Sequence, residues 1–192
     1  MEESSFDATL IGAFFALLAE EGWQGATVVA AARRAGLSLE VARRRFRGRL
    51  TVLSRFASLA DQAALAAPPA EGSVRDKLFD LLMQRIDVFQ RHRAGVEALM
   101  RHLPRDPRVA LFVATASLRS MAWMLETAGV PAAGPLGRLR RKGLLGVWLW
   151  TLRAWRHDDS EDLSATMAAL DQALTRAASA AEWLAHRPAA RE

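Results

Sequence analysis

Cysteine is absent from this 192-residue chain, which excludes a disulfide framework, a thiolate metal site and a cysteine nucleophile. Tyrosine is absent too, and lysine is confined to Lys77 and Lys142, so the positive charge belongs to arginine. No segment alternates polar and apolar residues as a half-buried strand does, and none repeats. With no strand there is no strand-born Gly-rich phosphate loop. His92, His102, His157 and His186 are scattered, none at metal-ligand spacing from another. Catalysis, a metal and a cofactor are therefore not expected. The longest apolar run, Leu144 to Leu152, is about half of what a membrane-spanning helix needs, so no stable membrane insertion is expected. The opening MEESSFDATL is acidic where a secretory signal would be basic, which points to a soluble cytoplasmic protein.

What is present is helix. At 51% hydrophobic the chain can bury a substantial core. Phe6, Leu10, Phe14, Leu17 and Leu18 make one stripe at helical spacing over 6–20. Thr27 is placed to cap 28–35, Ser38 to cap 39–46, and a longer helix follows over 50–66. AAPPAEGS at 66–73 is the strongest punctuation, and it predicts two domains, 1–66 and 73–192. Beyond it, Ser73 and Asp76 resemble a capping box opening a helix to about 91, and helices are expected at 94–103, 107–128, 135–156 and 160–185. The loop HDDS supplies a cap for the last of these at Asp159 or Ser160.

Net charge is only +5, yet the pI is about 11.0 because arginine carries it. Biased base composition in a genome enriches arginine, and so does selection for a side chain that forks phosphates and guanine edges. Clustering separates the two. Residues 33–55, RRAGLSLEVARRRFRGRLTVLSR, hold eight arginines and one acid, Glu40. Gly36 breaks one helical pattern and Ser38 starts the next, while Ala35, Ala42 and Phe46 stay apolar. Helix, Gly-containing turn and helix with an arginine-loaded outer face is the layout of a helix-turn-helix DNA reader. Leu39, Glu40 and Val41 fall in the first turn, where a recognition helix meets base edges. Arg43 and Arg44 point outward, Arg47 and Arg49 stand where the next helix begins, and Thr27 sits at a helix N-terminus suited to a phosphate. Arg45 is expected partly inside the domain, where it needs a partner.

GWQGATVVAAARRAGLSLEVARRRFRGRLTVL resembles the N-terminal domain of the TetR family of bacterial repressors. Gly25, Thr27 and Val28 match that family's opening, Ala35, Gly36, Leu37 and Ser38 its turn, Phe46 its final aromatic, and Arg49 its lysine. The family's usual tyrosines are Arg43 and Arg45 here. The resemblance implies an all-α TetR-like fold: a three-helix DNA-binding domain, then a helical domain that dimerises and holds a ligand. It implies a non-enzymatic regulator, a repressor, that binds double-stranded operator DNA as a homodimer through Thr27, Ser38, Leu39, Glu40, Val41, Arg43, Arg44, Arg47 and Arg49. A second resemblance, on AGLS, Phe46 with Gly48, Ala60-Asp61 and RRKGLLGVW, is to a TetR-like lipid-binding accessory family of ubiquinone biosynthesis that does not bind DNA. That family's Asp-Phe-Asn-Trp stretch is replaced by AAGPLGRL at 132–139, and the arginine face favours the regulator.

In the C-terminal half, the helix over 135–156 leaves almost no polar face, which suits burial on its own core and on a partner. Leu145, Leu149 and Trp150, with Met167, Leu170 and Leu174 of the last helix, are the expected dimer surface; Trp183 and Leu184 extend it. Phe79, Met83, Ile86, Phe89, Met100, Phe112, Met121, Trp123, Met124 and Trp148 are candidates to line a pocket, and flexible methionine beside aromatic faces suits a small apolar ligand. Ordinary core packing explains the same residues equally well. RLRRK at 138–142 reads as a solvated helix start.

Overall fold

Apolar residues at threes and fours give α1 (Glu2–Gly25), α2 (Val28–Arg34), α3 (Leu39–Arg45), α4 (Arg49–Ala66), α5 (Val74–Arg91), α6 (Arg93–His102), α7 (Pro107–Thr127), α8 (Gly134–Trp155) and α9 (Ser164–Ala185), with a 3-10 turn at Leu103–Arg105. This computed structural model describes residues 2–66 and 71–185, with side chains at 5–66 and 71–181; among them there is no strand. The Pro68-Pro69 joint, His186 and the Trp183 and Leu184 side chains lie outside the described residues.

Two boundaries differ from the sequence expectation. The first helix runs past the end of its apolar stripe to Gly25, with a kink at Gly22 (φ 70°, ψ −170°). The last begins at Ser164: 156–163 form a loop around a buried carboxylate, Asp158, and Ser160 Oγ accepts from the Ser164 N–H at 3.2 Å. Elsewhere local chemistry matches the pattern. Ser73 and Asp76 exchange hydrogen bonds as a capping box: Ser73 Oγ donates to Asp76 Oδ2 at 2.7 Å and accepts from the Asp76 N–H at 3.2 Å. That bond and the Ser73 N–H hold the Asp76 carboxyl below its ordinary value.

The chain sorts into two compact units, Met1–Ala63 with Gln84–Ser120 and Ala64–Met83 with Met121–Glu192. In the first, α1 buries Leu10, Ile11, Phe14, Phe15 and Leu18, each contributing about 1.5–3 kcal/mol. Phe15 lies 4.4 Å from Phe56, Phe56 5.1 Å from Phe89, and the His92 ring stands against both Phe15 and Phe56. Burial, helped by Arg91, depresses the His92 pKa and keeps the imidazole neutral inside this cluster. α6 approaches α1 closely enough that a Cβ on Gly95 would sit 2.3 Å from the Phe15 carbonyl oxygen, so only glycine fits. Arg85, almost fully buried, pairs with Asp61, whose other oxygen accepts from Ser120 Oγ at 2.8 Å. Burial pulls the Arg85 guanidinium down to about 10, which still leaves it charged at neutral pH.

In the second unit α8 and α9 fold against each other, burying Trp148, Trp155, Leu170 and Leu174. Asp158 accepts from the Thr166 N–H at 2.6 Å, from Thr166 Oγ1 at 2.7 Å, and from the Ser160 N–H and hydroxyl. Burial disfavours its charge, but these bonds outweigh burial and hold the carboxyl at about 2. Arg75 of α5 reaches Asp171 and Thr175 of α9.

α7 departs from the sequence expectation in one respect. By length and composition Pro107–Thr127 is apolar enough to cross a membrane, and only 28% of that stretch is buried, so much of its apolar surface faces outward. Arg119 and neighbouring hydroxyls interrupt the stretch, so no long unbroken run marks it in the sequence.

Candidate nucleic-acid interface

The turn between α2 and α3 is built by backbone geometry that the sequence dictates. Gly36 takes φ 65°, which side chains disfavour. Its N–H donates to the Arg33 carbonyl at 3.2 Å, and the Leu37 N–H to Ala32 at 2.9 Å, closing the end of α2. Ser38 then restarts the chain: its Oγ accepts from the Val41 N–H at 3.3 Å. Thr27 does the same for α2, accepting from the Ala30 N–H at 3.1 Å. Both hydroxyls accept as caps, which leaves each O–H to donate outward, at Thr27 to a phosphate.

α3 is seated by Ala42, which is buried, and by Phe46 just beyond its end. Opposite that face, Leu39 is 43% exposed, Glu40 is exposed and Val41 is half-buried. Glu40 and Arg44 form a surface pair at 3.2 Å, one helical turn apart and weak on that account. Arg43 on α3 and Arg47 in the bend before α4 are exposed, and neither has an ion-pair partner among the described residues. Those two guanidiniums are free to meet a phosphate or a guanine edge without first breaking a bond.

Other arginines of the cluster hold the domain together. Arg49 donates to the Ala26 carbonyl at 2.9 Å and to Gln24 at 3.0 Å, and lies 5.4 Å from the Trp23 ring centroid. It therefore clamps the α1–α2 junction rather than lying free for the DNA backbone. Trp23 is itself stacked on His102 at 4.9 Å. Arg45 Nε donates to Asp7 Oδ1 at 2.7 Å and Arg55 Nη1 to Asp7 Oδ2 at 2.8 Å, so one carboxylate binds two arginines. Arg34 forks onto Glu20, with Nη2 at 2.6 Å from Oε1; the guanidinium holds the Glu20 carboxyl below its usual range. Sequence reasoning passed over Asp7 and Trp23. The signal for Asp7 was an acid on the apolar stripe of α1, in register with Leu10 and Phe14.

The expected pocket residues fall in both units: Ile86, Phe89, Met100 and Phe112 in the first, Phe79, Met83, Met121, Trp123, Met124 and Trp148 in the second. Met121, Met124 and Trp148 are buried, whereas Trp123 is 60% exposed and stands on the outer face of α7, away from any interior lining. Of the expected dimer residues, Leu149 and Trp150 are exposed and Leu145 and Met167 half-buried. Leu170 and Leu174 are corrected: they are buried in the core of their own unit, which leaves them no surface for a partner.

No protein-family model matches the chain, and the search of curated proteins returned no match. Among solved structures the chain is similar to the crystal structure of the TetR transcriptional regulator from Nitrosomonas europaea ATCC 19718, with a TM-score of 0.72 and 21% identity over 91% of this chain and 98% of that one. The fold is TetR-like, and all-helical among the described residues.

Proposed function

We propose, with the TetR-like fold as premise, that this chain is a transcriptional regulator, a repressor, that binds double-stranded operator DNA and is not an enzyme. The observation that carries this reading is the outer surface of α3. Leu39, Glu40 and Val41 lie in its first turn, and Arg43 and Arg47 stand exposed beside them with no internal partner among the described residues. Leu39 and Val41 suit a thymine methyl, Glu40 suits cytosine N4, and the two arginines suit phosphate or guanine.

Two half-sites call for two copies, and the exposed apolar pair Leu149 and Trp150 on α8 is the proposed contact between them. A small apolar ligand among Phe79, Met83, Met121, Met124 and Trp148 is the proposed signal. It would act by binding one spacing of the recognition helices better than another. Such a regulator works in the cytoplasm, beside the DNA.

Fluorescence-anisotropy titration against DNA from the gene's own upstream region, beside scrambled DNA, tests the reading at low and near-physiological salt. A preference for the upstream DNA that survives rising salt is expected. Equal binding that collapses with salt would be generic phosphate attraction and would overturn it, as would no binding to either DNA.

A further inference from the structure

The outward face of α7 is unexplained by DNA binding. Arg108, Leu111, Thr115 and Arg119 follow at threes and fours and so share one side of the helix. Leu111 is 70% exposed, and Leu50, at the start of α4, is 40% exposed. With half-buried Phe112 these residues line an open groove of about 340 Å³ within the first unit. No carboxylate lines it. Thr115 Oγ1 already donates to the Leu111 carbonyl at 2.8 Å. The Arg108 and Arg119 guanidiniums have no ion-pair partner among the described residues, so they are the groove's unused polar groups.

We propose that this groove binds a small anionic amphiphile, a carboxylate on an unbranched apolar chain. Its volume lies at the small end of the range for single small-molecule sites, about 300–1,000 Å³. The apolar chain would cover Leu50, Leu111 and Phe112, which water now touches. The carboxylate would take two parallel N–H bonds from a guanidinium, the geometry arginine supplies and lysine does not. Arg108 and Arg119 stand about 16 Å apart along the helix axis, one at each end of the apolar stretch, so the head can seat at either end. A neutral or cationic amphiphile leaves both guanidiniums unused, and a phosphate backbone leaves the leucines uncovered. The groove is separate from the Met and Trp cluster of the second unit and does not depend on DNA binding.

Calorimetric titration of the full chain with dodecanoate, kept below its micelle concentration, tests this beside dodecanol and dodecyltrimethylammonium. Saturable one-to-one binding of dodecanoate alone is expected. Arg108→Gln or Arg119→Gln should weaken it about tenfold, the larger loss marking the seat of the head. Leu111→Asp should abolish it. All three positions are exposed, and thermal melts monitored by circular dichroism check that the fold is kept. Equal binding of dodecanol or the ammonium would overturn the proposal. So would no dodecanoate binding, or binding unchanged by Leu111→Asp or by Arg108→Gln and Arg119→Gln made together. A fall in oligomer mass on Leu111→Asp, read by light scattering, would show that a second copy covers the groove and would also overturn it.

Discussion

The helix-turn-helix and the α8–α9 pair are built from opposite materials. Around α3 the outer surface is charged and much of the shape is held by polar clamps: Asp7 between Arg45 and Arg55, and Arg49 on two backbone carbonyls. In the α8–α9 pair the exposed positions include Leu149 and Trp150, while the shape rests on buried Trp148, Trp155, Leu170 and Leu174 and on one buried carboxylate. In each region the same residue type serves both as scaffold and as offered surface. Arginine is clamp at 45 and 49 and free at 43 and 47; leucine is core at 170 and 174 and exposed at 149. Surface and scaffold are distinguished by where the partner is, not by residue type.

The sharpest way to break this contrast is to remove the clamp. Arg45 is 17% exposed and Asp7 8%, so Asp7→Ala would remove the carboxylate that Arg45 and Arg55 share. A loss of about 3 kcal/mol in urea unfolding is expected. A loss smaller than about 1 kcal/mol would mean that Arg45 swings to water and that the domain stands on its apolar core.

Next in size is the carboxylate at the α8–α9 loop. Asp158→Ala leaves the Thr166 and Ser160 groups short of an acceptor, at a cost of about 2 kcal/mol. The pH dependence follows from the depressed pKa. The native carboxyl titrates at about 2 against an ordinary value of 3.8, so its contribution is complete above the unfolded value. It is then lost as pH falls through about 2. Melting curves of the native chain and of Asp158→Asn should therefore converge as the pH is lowered from about 4 to 2, and a constant gap would break the assignment.

Caps and turns were legible in the sequence because their chemistry is local. Thr27 needs only Ala30, Ser38 only Val41, and Gly36 only the end of its own helix. The stripes were legible for the same reason, and with them the all-helical class. The clamps were not. Arg45 meets its carboxylate 38 residues away and Arg49 its carbonyls 23 and 25 away, so charge alone placed Arg49 with the DNA contacts. Leu170 and Leu174 lie at a spacing equally suited to a partner and to the core, and only the packing against α8 decides between them. Asp158 could not be told from Asp159, because one residue of loop separates a buried cap from its more solvated neighbour.

The smallest effects on stability are expected at the offered surfaces, where they discriminate most. Arg43→Gln with Arg47→Gln removes two charges that no described internal group opposes, and Trp150→Glu alters an exposed indole, so each should shift stability by less than about 0.5 kcal/mol. Their other consequences should not overlap. The arginine pair should lower the slope of log affinity against log salt by about 2, one unit for each phosphate no longer neutralised, with oligomer mass unchanged. Trp150→Glu should halve the mass read by light scattering at low concentration, since a carboxylate buried in an apolar contact without a partner is costly. If the salt slope stayed put while the mass fell, the arginines would belong to a solvated face and the dimer surface alone would survive. If the arginine pair lowered stability by more than about 1 kcal/mol, they would be clamps like Arg45 and Arg49, and the division between scaffold and surface around α3 would have to be redrawn.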